Sequence, residues 1–298
     1  MPPTLTGRGL GPGKLTRLHR MLYCHGAGDG TALLLPYDHG LEHGPRDFAA
    51  QPESGDPGFV FELALAGGFN AVVVQIGHAR KCYEPFAGRI SLVVKLNGKT
   101  EIPSDDAPLS PLNASVAEAV SLGADAVGYT LYVGSARQTD DFNALRTVRE
   151  DCERFGMPLI VWAYPRGSAI ERAGGRNSFY AIDYAARAAA ELGADIVKLN
   201  WPTDPPSDAV PPEYRHEFSD ADQLAALTRS AGRTLLLLSG GERADADVLL
   251  NRAQAVVNAG GLGLIFGRNF LKREPSEALA LAGKLHHILS DPIIGHAG

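Results

Sequence analysis

The fold is decided by a unit of helix, glycine and strand that is clearest over residues 180–202, YAIDYAARAAAELGADIVKLNWP. Residues 180–192 have helical patterning, and Gly193 lies where a C-cap glycine would end the helix. Residues 195–202 then form a short, mainly apolar run that predicts a buried strand. This order recurs along the chain, and buried strands that alternate with helices are typical of a parallel sheet covered by helices.

Eight such strands are predicted, each passing from an apolar, β-branched run to a polar or glycine-bearing exit. The predicted strands are residues 31–38, 70–77, 91–98, 125–132, 158–165, 195–202, 234–241 and 261–268. Helical patterning covers residues 59–66, 115–122, 140–155, 180–192, 220–231 and 246–259, and these segments are followed by Gly67, Gly123, Gly156, Gly193, Gly232 and Gly260. Eight units in 298 residues predict a closed (β/α)8 TIM barrel as a single catalytic domain over residues 31–298.

Residues 1–30 are predicted to form an arm ahead of the barrel. Residues 1–14 are rich in glycine and proline, and a short helix over residues 16–22 is expected to cap the barrel bottom with Leu18, Met21 and Leu22. The alternative architecture is a doubly wound open sheet. It lacks its main support because no GxGxxG follows the first strand, and no Walker A sequence occurs.

The composition limits the classes of molecule that this chain is expected to bind. A formal net charge of -6 predicts no basic surface for nucleic acid or an anionic membrane, and no apolar run approaches the ~20 residues of a membrane span. Local basic sites still allow a small anionic substrate. Cys24, Cys82 and Cys152 are widely spaced without a CxxC, which argues against a disulfide framework and a cysteine zinc site and favours a reducing, cytoplasmic location.

Lys198 stands among strand-forming apolar residues, where burying an ammonium is expensive. Desolvation disfavours the charged form, so a lysine in an apolar barrel can be deprotonated near neutral pH and attack a carbonyl to form a Schiff base. The alternative is a lysine near a strand end whose ammonium reaches water.

Polar residues follow the predicted strands, and in a barrel the chemistry gathers at these carboxyl ends. At the carboxyl ends of the eight strands these residues are expected to form a ring. Its members are Asp38, His39, His43, Gln75, His78, Lys95, Asn97, Lys99, Trp162, Tyr164, Arg166, Lys198, Asn200, Ser239, Gly240, Gly241, Gly267, Arg268 and Asn269. Ser239-Gly-Gly and Gly267-Arg268 after strands seven and eight predict a phosphate cradle, because glycines let backbone N–H groups approach an oxyanion. Taken singly, each is more often an ordinary turn.

Two further interpretations stay open on the residues alone. His39, His43 and His78 could ligate a metal, although a Schiff-base lysine makes a metal unnecessary for activating a ketone. Trp162 and Tyr164 share a strand face, so they could pack in the core or contribute a proton donor.

Combined, the motifs resemble the archaeal-type class I fructose-bisphosphate aldolases. The resemblance covers about residues 33–269 and rests on Asp38-His-Gly-Leu-Glu-His-Gly-Pro, Lys95-Leu-Asn-Gly-Lys-Thr, Tyr164-Pro-Arg-Gly, Ala194-Asp-Ile-Val-Lys198, Ser239-Gly-Gly and Gly267-Arg-Asn, in the family's order. It implies a lyase of glycolysis and gluconeogenesis that cleaves fructose 1,6-bisphosphate reversibly without metal or cofactor.

The resemblance also implies a role for each matching residue. Lys198 would be the Schiff-base nucleophile, Tyr164 the proton donor, and Asp38 the carboxylate near the carbinolamine and the cleaved bond. Substrate would be lined by His43, Trp162 and Arg166, and the ketose-side phosphate would be held by Ser239, Gly240, Gly241, Gly267 and Arg268. The family has a further acidic residue after the lysine strand, for which this sequence offers Asp204, Asp208 or Glu213.

Other functions fit the same barrel and lysine. Aminodideoxyheptulosonate synthases and thiolases acting on phosphorylated sugars share both, and a non-catalytic phosphosugar-binding barrel would need no reactive amine. Tyr164 near Lys198 argues against a non-catalytic role. A homo-oligomer with a phosphorylated sugar as its substrate is the expected state.

Overall fold

The structure, a computed structural model, describes residues 2–290. Eight parallel strands pair in chain order, and the first also pairs with the last, so the sheet is a closed barrel. The strands are β1 Ala32–Tyr37, β2 Ala71–Gln75, β3 Ser91–Lys95, β4 Ala126–Val133, β5 Leu159–Pro165, β6 Ile196–Leu199, β7 Leu235–Ser239 and β8 Gly263–Ile265. The predicted (β/α)8 TIM barrel is therefore confirmed.

Helices surround the barrel and precede it. They are α1 Pro12–His19, α2 His39–His43, α3 Pro57–Ala66, α4 Ile76–Cys82, α5 Val116–Ser121, α6 Gln138–Phe155, α7 Ser168–Arg172, α8 Phe179–Glu191, α9 Asp220–Ala231, α10 Ala246–Asn258, α11 Arg268–Leu271 and α12 Pro275–Ser290. A π-helical turn spans Arg20–Cys24, and 3-10 helices span Pro45–Phe48, Pro52–Gly55, Glu84–Phe86 and Pro212–Tyr214. Each of the six predicted helices is present with its bounds moved by at most two residues.

Alternate residues of each strand serve two apolar cores, because successive side chains of a strand point to opposite faces. Leu34 lies in the inner core that fills the barrel, whereas Leu33 and Leu35 lie in the outer core between strands and helices. On β6, Ile196 belongs to the inner core, so Lys198, two residues on, also points into the barrel. The strand pattern thus sets the direction of the side chain on which the chemistry depends.

The N-terminal segment closes the barrel bottom. Leu18, Met21 and Leu22 are fully buried and belong to the inner core with Leu34, as expected of a plug. The prediction of its bounds was wrong, because the helix begins at Pro12 rather than at residue 16. Residues 12–14 are ordered by a buried cation: Lys14 is 2% exposed and its Nζ donates to Asp195 Oδ1 at 3.0 Å.

Several predicted strands extend beyond the observed ones; β3, for example, was predicted over residues 91–98 but ends at Lys95. After β3 ends at Lys95, the Asn97 side chain accepts from the Thr130 N–H at 2.7 Å and donates to the Thr130 carbonyl at 2.8 Å. The side-chain amide of Asn97 thus makes the hydrogen bonds to β4 that a continuing strand backbone would make.

The prediction of left-handed glycines after the helices holds at five positions but is wrong at Gly67, whose φ is -84°; the neighbouring Gly68 has φ +66°.

No helix among residues 2–290 is both long and apolar enough to cross a membrane. Residues 291–298, the end of the predicted catalytic domain, lie outside the described residues, as does residue 1.

Candidate active site

A pocket opens at the carboxyl ends of the strands, where barrel chemistry is expected. Its lining residues are Pro36, Asp38, His39, Glu42, His43, Thr130, Trp162, Tyr164, Lys198, Asn200, Ser239, Gly240, Gly241, Ile265, Gly267 and Arg268. Ten of the eleven side chains and glycines predicted for the site lie in this set, and Arg166 is the exception. The strand exits therefore meet in one cavity.

Lys198 occupies the apolar part of the pocket. It is 6% exposed, and its Nζ lies 5.1 Å from the ring centre of Trp162 and 5.6 Å from that of Tyr164. The pKa of Lys198 is lowered to about 8, chiefly by burial; the carboxylate of Asp38 opposes the shift, and the positive charge of Lys95 contributes to it. A substantial fraction of the amine is therefore neutral and nucleophilic near pH 7–8.

Lys95 is the second buried lysine beside the pocket, and its contacts differ. Its Nζ donates to Thr130 Oγ1 at 2.6 Å and to the Asn97 carbonyl at 3.2 Å, and it lies 3.8 Å from Asp38 Oδ2. These partners hold the ammonium in place, whereas Lys198 makes no such ion pair or hydrogen bond among the described residues. Lys198 is the lysine whose amine is available for chemistry.

Gly128 on β4 makes room for this arrangement. A Cβ at this position would lie 2.7 Å from Trp162 Cζ3 and 2.9 Å from Lys95 Cδ. Because such distances are well inside van der Waals contact, a side chain here would displace the indole or the lysine. The indole that packs against both lysines depends on this glycine.

Tyr164 shares the inner face of β5 with Trp162, and the β5–β6 register places Trp162 opposite Lys198. Burial raises the pKa of Tyr164 well above its usual value, and the nearby carboxylates of Glu42 and Asp38 raise it further. The hydroxyl therefore stays protonated near neutral pH, as a proton donor must. The guanidinium of Arg166 lies over the Tyr164 ring at 5.3 Å from its centre.

Arg166 does not border the cavity itself. Its Nε lies 3.6 Å from Asp105 Oδ2 on the loop after β3, so its contact with the site runs through the ring of Tyr164. The strand ends at Pro165, so Arg166 lies beyond the alternation of faces, and its role in substrate binding stays a prediction.

The short helix α2 presents one polar face to the pocket. His39, Glu42 and His43 have the i, i+3 and i+4 spacing that places side chains on one side of a helix, and all three line the cavity with Asp38. Gly40 and Leu41 line a separate apolar groove on the other side. Burial lowers the pKa of His39 to about 4, so its imidazole is neutral at pH 7.

The glycines after β7 and β8 border the pocket as a cradle for an anion. A Cβ at Gly240 would lie 2.3 Å from Asn269 Nδ2, so only glycine brings the backbone this close. Arg268 supplies the cation, and in this structure it pairs with the exposed carboxylate of Glu242. The Ser239 hydroxyl donates to Asn200 Oδ1 at 2.7 Å.

The three acidic residues that follow the lysine strand do not border this pocket. Asp204, Asp208 and Glu213 are absent from the pocket lining; Asp204 borders a different cavity, near Tyr214 and Phe218. Glu42 and Thr130 also line the pocket and were not among the predicted site residues; for Glu42 the available signal was the i, i+3, i+4 spacing of His39, Glu42 and His43. Among the three histidines, His39 and His43 line the pocket but His78 lines the apolar groove, and residues 2–290 contain no cluster of three metal-ligating side chains.

A closed (β/α)8 barrel whose mouth combines a buried lysine of lowered pKa, a protonated tyrosine and a glycine-rich anion cradle defines the class of lysine-dependent, Schiff-base-forming barrel enzymes. Residues 32–273 match the DeoC/LacD family aldolase. The chain belongs to this family.

Individual relatives are similar over most of the chain. The class 1 fructose-bisphosphate aldolase of Thermoproteus tenax is 40% identical over 85% of this chain and 88% of its own length. A solved archaeal fructose-1,6-bisphosphate aldolase, with its catalytic lysine covalently bound to the carbinolamine intermediate of its substrate, is 36% identical with a TM-score of 0.78, over 92% of this chain and 100% of its own. A fructose-bisphosphate aldolase from Slackia heliotrinireducens is 27% identical with a TM-score of 0.80, over 96% of this chain and 89% of its own. The resemblance stated from the motifs is confirmed.

Proposed function

We propose that this chain is a class I fructose-bisphosphate aldolase, a lyase that cleaves fructose 1,6-bisphosphate reversibly into dihydroxyacetone phosphate and glyceraldehyde 3-phosphate. The observation that carries the proposal is the buried, largely unpaired amine of Lys198 in a pocket that also contains Tyr164 and an anion cradle. The similarity to class 1 fructose-bisphosphate aldolases supports the choice of substrate.

Lys198 acts as the nucleophile. Its neutral amine attacks the C2 carbonyl, and loss of water from the carbinolamine leaves a protonated imine, a stronger electron sink than the ketone. The C3–C4 bond can then break with its electrons moving into the imine, while the C4 hydroxyl gives up its proton to a carboxylate of the pocket; glyceraldehyde 3-phosphate is released and an enamine is left on Lys198. No metal or organic cofactor is needed for this step.

Tyr164 and Asp38 assist at different stages. Tyr164, which stays protonated because its pKa is raised, donates a proton to C3 of the enamine, and hydrolysis of the new imine frees dihydroxyacetone phosphate. Asp38, which contributes a negative charge near Lys198, stabilises the positive charge of the imine and its carbinolamine precursor.

The remaining residues hold the substrate. Backbone N–H groups of the segment 239–241 and of Gly267 are suited to the ketose-side phosphate, with Arg268 as its cation. His43 and Trp162 shape the sugar-binding part of the pocket. Arg166 acts indirectly in this scheme, because its guanidinium packs on the Tyr164 ring.

The cell biology follows from the same proposal. We expect a cytoplasmic enzyme of glycolysis and gluconeogenesis, since Cys24, Cys82 and Cys152 are all free thiols. We also expect a homo-oligomer. Light scattering on the purified chain measures this directly, and a monomeric mass would contradict it.

Borohydride trapping tests the central assignment. Incubation with dihydroxyacetone phosphate and borohydride should add the mass of the reduced adduct to the peptide that contains Lys198, and Lys198→Arg should remove the label. Labelling at Lys95 or Lys99 instead would refute the role of Lys198. A panel of phosphorylated ketoses in the same assay separates fructose 1,6-bisphosphate from the substrates of other lysine-dependent barrel enzymes.

A further inference from the structure

The apolar groove on the outer side of α2 takes no part in the scheme above. It lies beside the catalytic pocket, with α2 as the wall between them, and its volume of about 950 Å³ is within the range of small-molecule sites. The side chains that border it include Tyr37, Leu41, Phe48, Ile76, His78 and Lys81. A largely apolar cavity with a few polar groups is the usual form of a ligand site.

The groove is positively charged, although the chain as a whole carries a formal charge of -6. Lys81 is the one fully charged residue that borders it, and no aspartate or glutamate does so. The neighbouring Arg80 is paired with Glu118 at 2.7 Å, whereas Lys81 has no ion-pair partner among residues 2–290. Burial and the charge of Lys81 lower the pKa of His78, so its imidazole is neutral near pH 7. A single uncompensated ammonium beside an apolar cavity is suited to a ligand with one negative charge.

Aromatic rings form the wall of the groove next to α2. The ring centre of Tyr37 lies 5.5 Å from that of Phe48 and 5.5 Å from that of His78. The Tyr37 hydroxyl donates to the Gly55 carbonyl at 3.0 Å, which fixes the ring in place. Such rings favour an aromatic ligand, which they contact edge to face or by offset stacking. An aromatic ring that carries one negative charge describes an aromatic carboxylate.

The groove is also in contact with the catalytic pocket through side chains. The imidazole of His39 borders the pocket, and its ring lies 5.9 Å from Tyr37 and 5.4 Å from Phe48, which both border the groove. The helix α2 places Leu41 in the groove and His43 in the pocket. A molecule that packs against Leu41 and Phe48 therefore restricts the motion of the helix that carries pocket residues.

We propose that this groove binds an aromatic carboxylate, with its ring against Tyr37 and Phe48 and its carboxylate on Lys81, and that the bound ligand promotes substrate binding by holding α2 in place. Leu41, which is 38% exposed, is covered by the ligand in this arrangement. Coupling between two binding sites is reciprocal, so the ligand and the substrate should each strengthen the binding of the other.

Calorimetric titration of the full chain with 1-naphthoate tests the site. Inorganic phosphate is present in excess, so that the anion cradle of the catalytic pocket is not available to the probe. The unaltered chain should bind 1-naphthoate, and Lys81→Glu should weaken binding by about tenfold or more, because it replaces the attracting charge by a repelling one. Ala49→Glu places a carboxylate at another, exposed position of the lining and should weaken binding similarly.

The matched control is Lys284→Glu, which makes the same charge change at an exposed lysine of α12, outside the groove, and should bind 1-naphthoate as the unaltered chain does. All three variants should keep the basal cleavage rate, which shows that they are folded. Decanoate supplies the same carboxylate without a ring and should bind more weakly; equal or tighter binding of decanoate would overturn the choice of an aromatic ligand.

Steady-state kinetics test the coupling. Saturating 1-naphthoate should lower KM for fructose 1,6-bisphosphate by about fivefold or more in the unaltered chain and should have no such effect in Lys81→Glu. An unchanged or raised KM would overturn the proposed action on α2. The proposal as a whole is overturned if the unaltered chain does not bind 1-naphthoate, or if the groove variants change the mass measured by light scattering, which would assign the groove to a second copy of this chain. Failure of the proposed function looks different, because a chain that does not cleave the bisphosphate can still bind 1-naphthoate.

Discussion

At the scale of single residues, the reactivity of Lys198 should follow its protonation. The pKa of Lys198 is lowered to about 8, and only the neutral amine attacks a carbonyl. The rate of imine formation should therefore rise from pH 6 through about 8 and level off above it. Lys95→Gln removes a positive neighbour and frees the negative charge of Asp38, and both changes raise the pKa of Lys198.

The measurement is the borohydride trapping rate against pH for the unaltered chain and Lys95→Gln. The midpoint should move to higher pH in the variant. An unchanged or lower midpoint would show that Lys95 does not tune the amine.

Tyr164→Phe should separate imine formation from turnover. The substitution removes the hydroxyl but keeps the ring that packs near Lys198 and Arg166. Loss of acid–base help is typically worth about 10²–10⁴ in rate, so kcat should fall by this range while borohydride still traps Lys198. Wild-type turnover in the variant would return Tyr164 to a packing role and move the proton donor elsewhere.

Arg268 and Glu242 should have opposite effects on phosphate binding. Arg268→Ala removes the cation of the cradle and should mainly raise KM for the bisphosphate. Glu242→Gln removes the carboxylate that pairs with Arg268, so phosphate no longer competes with it and KM should fall. Steady-state kinetics of both variants test this; an unchanged KM in Arg268→Ala would remove the residue from the cradle.

Most of the residues that line the pocket could be predicted from the sequence, because the carboxyl ends of barrel strands meet at one end of the barrel regardless of the loop conformations. Sequence reasoning did not single out Glu42, because a five-residue helix is too short to be predicted from periodicity, and without the helix the spacing of His39, Glu42 and His43 has no meaning. For Arg166 the rule of alternating faces gives no guidance, because it stops where the strand stops, at Pro165.

At the scale of elements, the N-terminal plug should matter for stability rather than for catalysis. Leu18 on α1 is fully buried in the inner core at the barrel bottom, at the opposite end from the pocket. Leu18→Ala should cost about 2–5 kcal/mol of unfolding free energy through lost burial and a residual cavity. Denaturant unfolding measures this, and kcat at a permissive temperature should be unchanged.

The control is Val248→Ala on α10, where the side chain is 41% exposed and a change of at most about 0.5 kcal/mol is expected. Equal destabilisation by the two substitutions would contradict the plug.

The plug also shows what a pattern of apolar residues predicts and what it does not. Leu18, Met21 and Leu22 were identified as one apolar side, and they pack as one. The predicted start of the helix was wrong because the sequence alone suggests that Lys14 is exposed to solvent. In the structure Lys14 is buried and pairs with Glu153 and Asp195, which come from distant parts of the chain. An ion pair between residues so far apart in the chain cannot be recognised from the local sequence pattern.

At the scale of the whole molecule, the reaction should be independent of metal ions. The imine on Lys198 supplies the electron sink for which a zinc ion would otherwise be needed. Dialysis against EDTA should leave kcat unchanged. Loss of activity that zinc restores would contradict this prediction and would return His39 and His43 to consideration as ligands.

The closure of the barrel also limits how far the chain can fold during its synthesis on the ribosome. Ala32 on the first strand pairs with Gly263 on the last, so the ladder cannot be completed until residue 263 and its neighbours on β8 have been synthesised. Pairings between such distant segments form slowly, and until then β1 and the growing sheet expose unpaired edges. We therefore expect nascent chains that stop before β8 to depend on chaperones, and the finished chain to fold in one late, cooperative event.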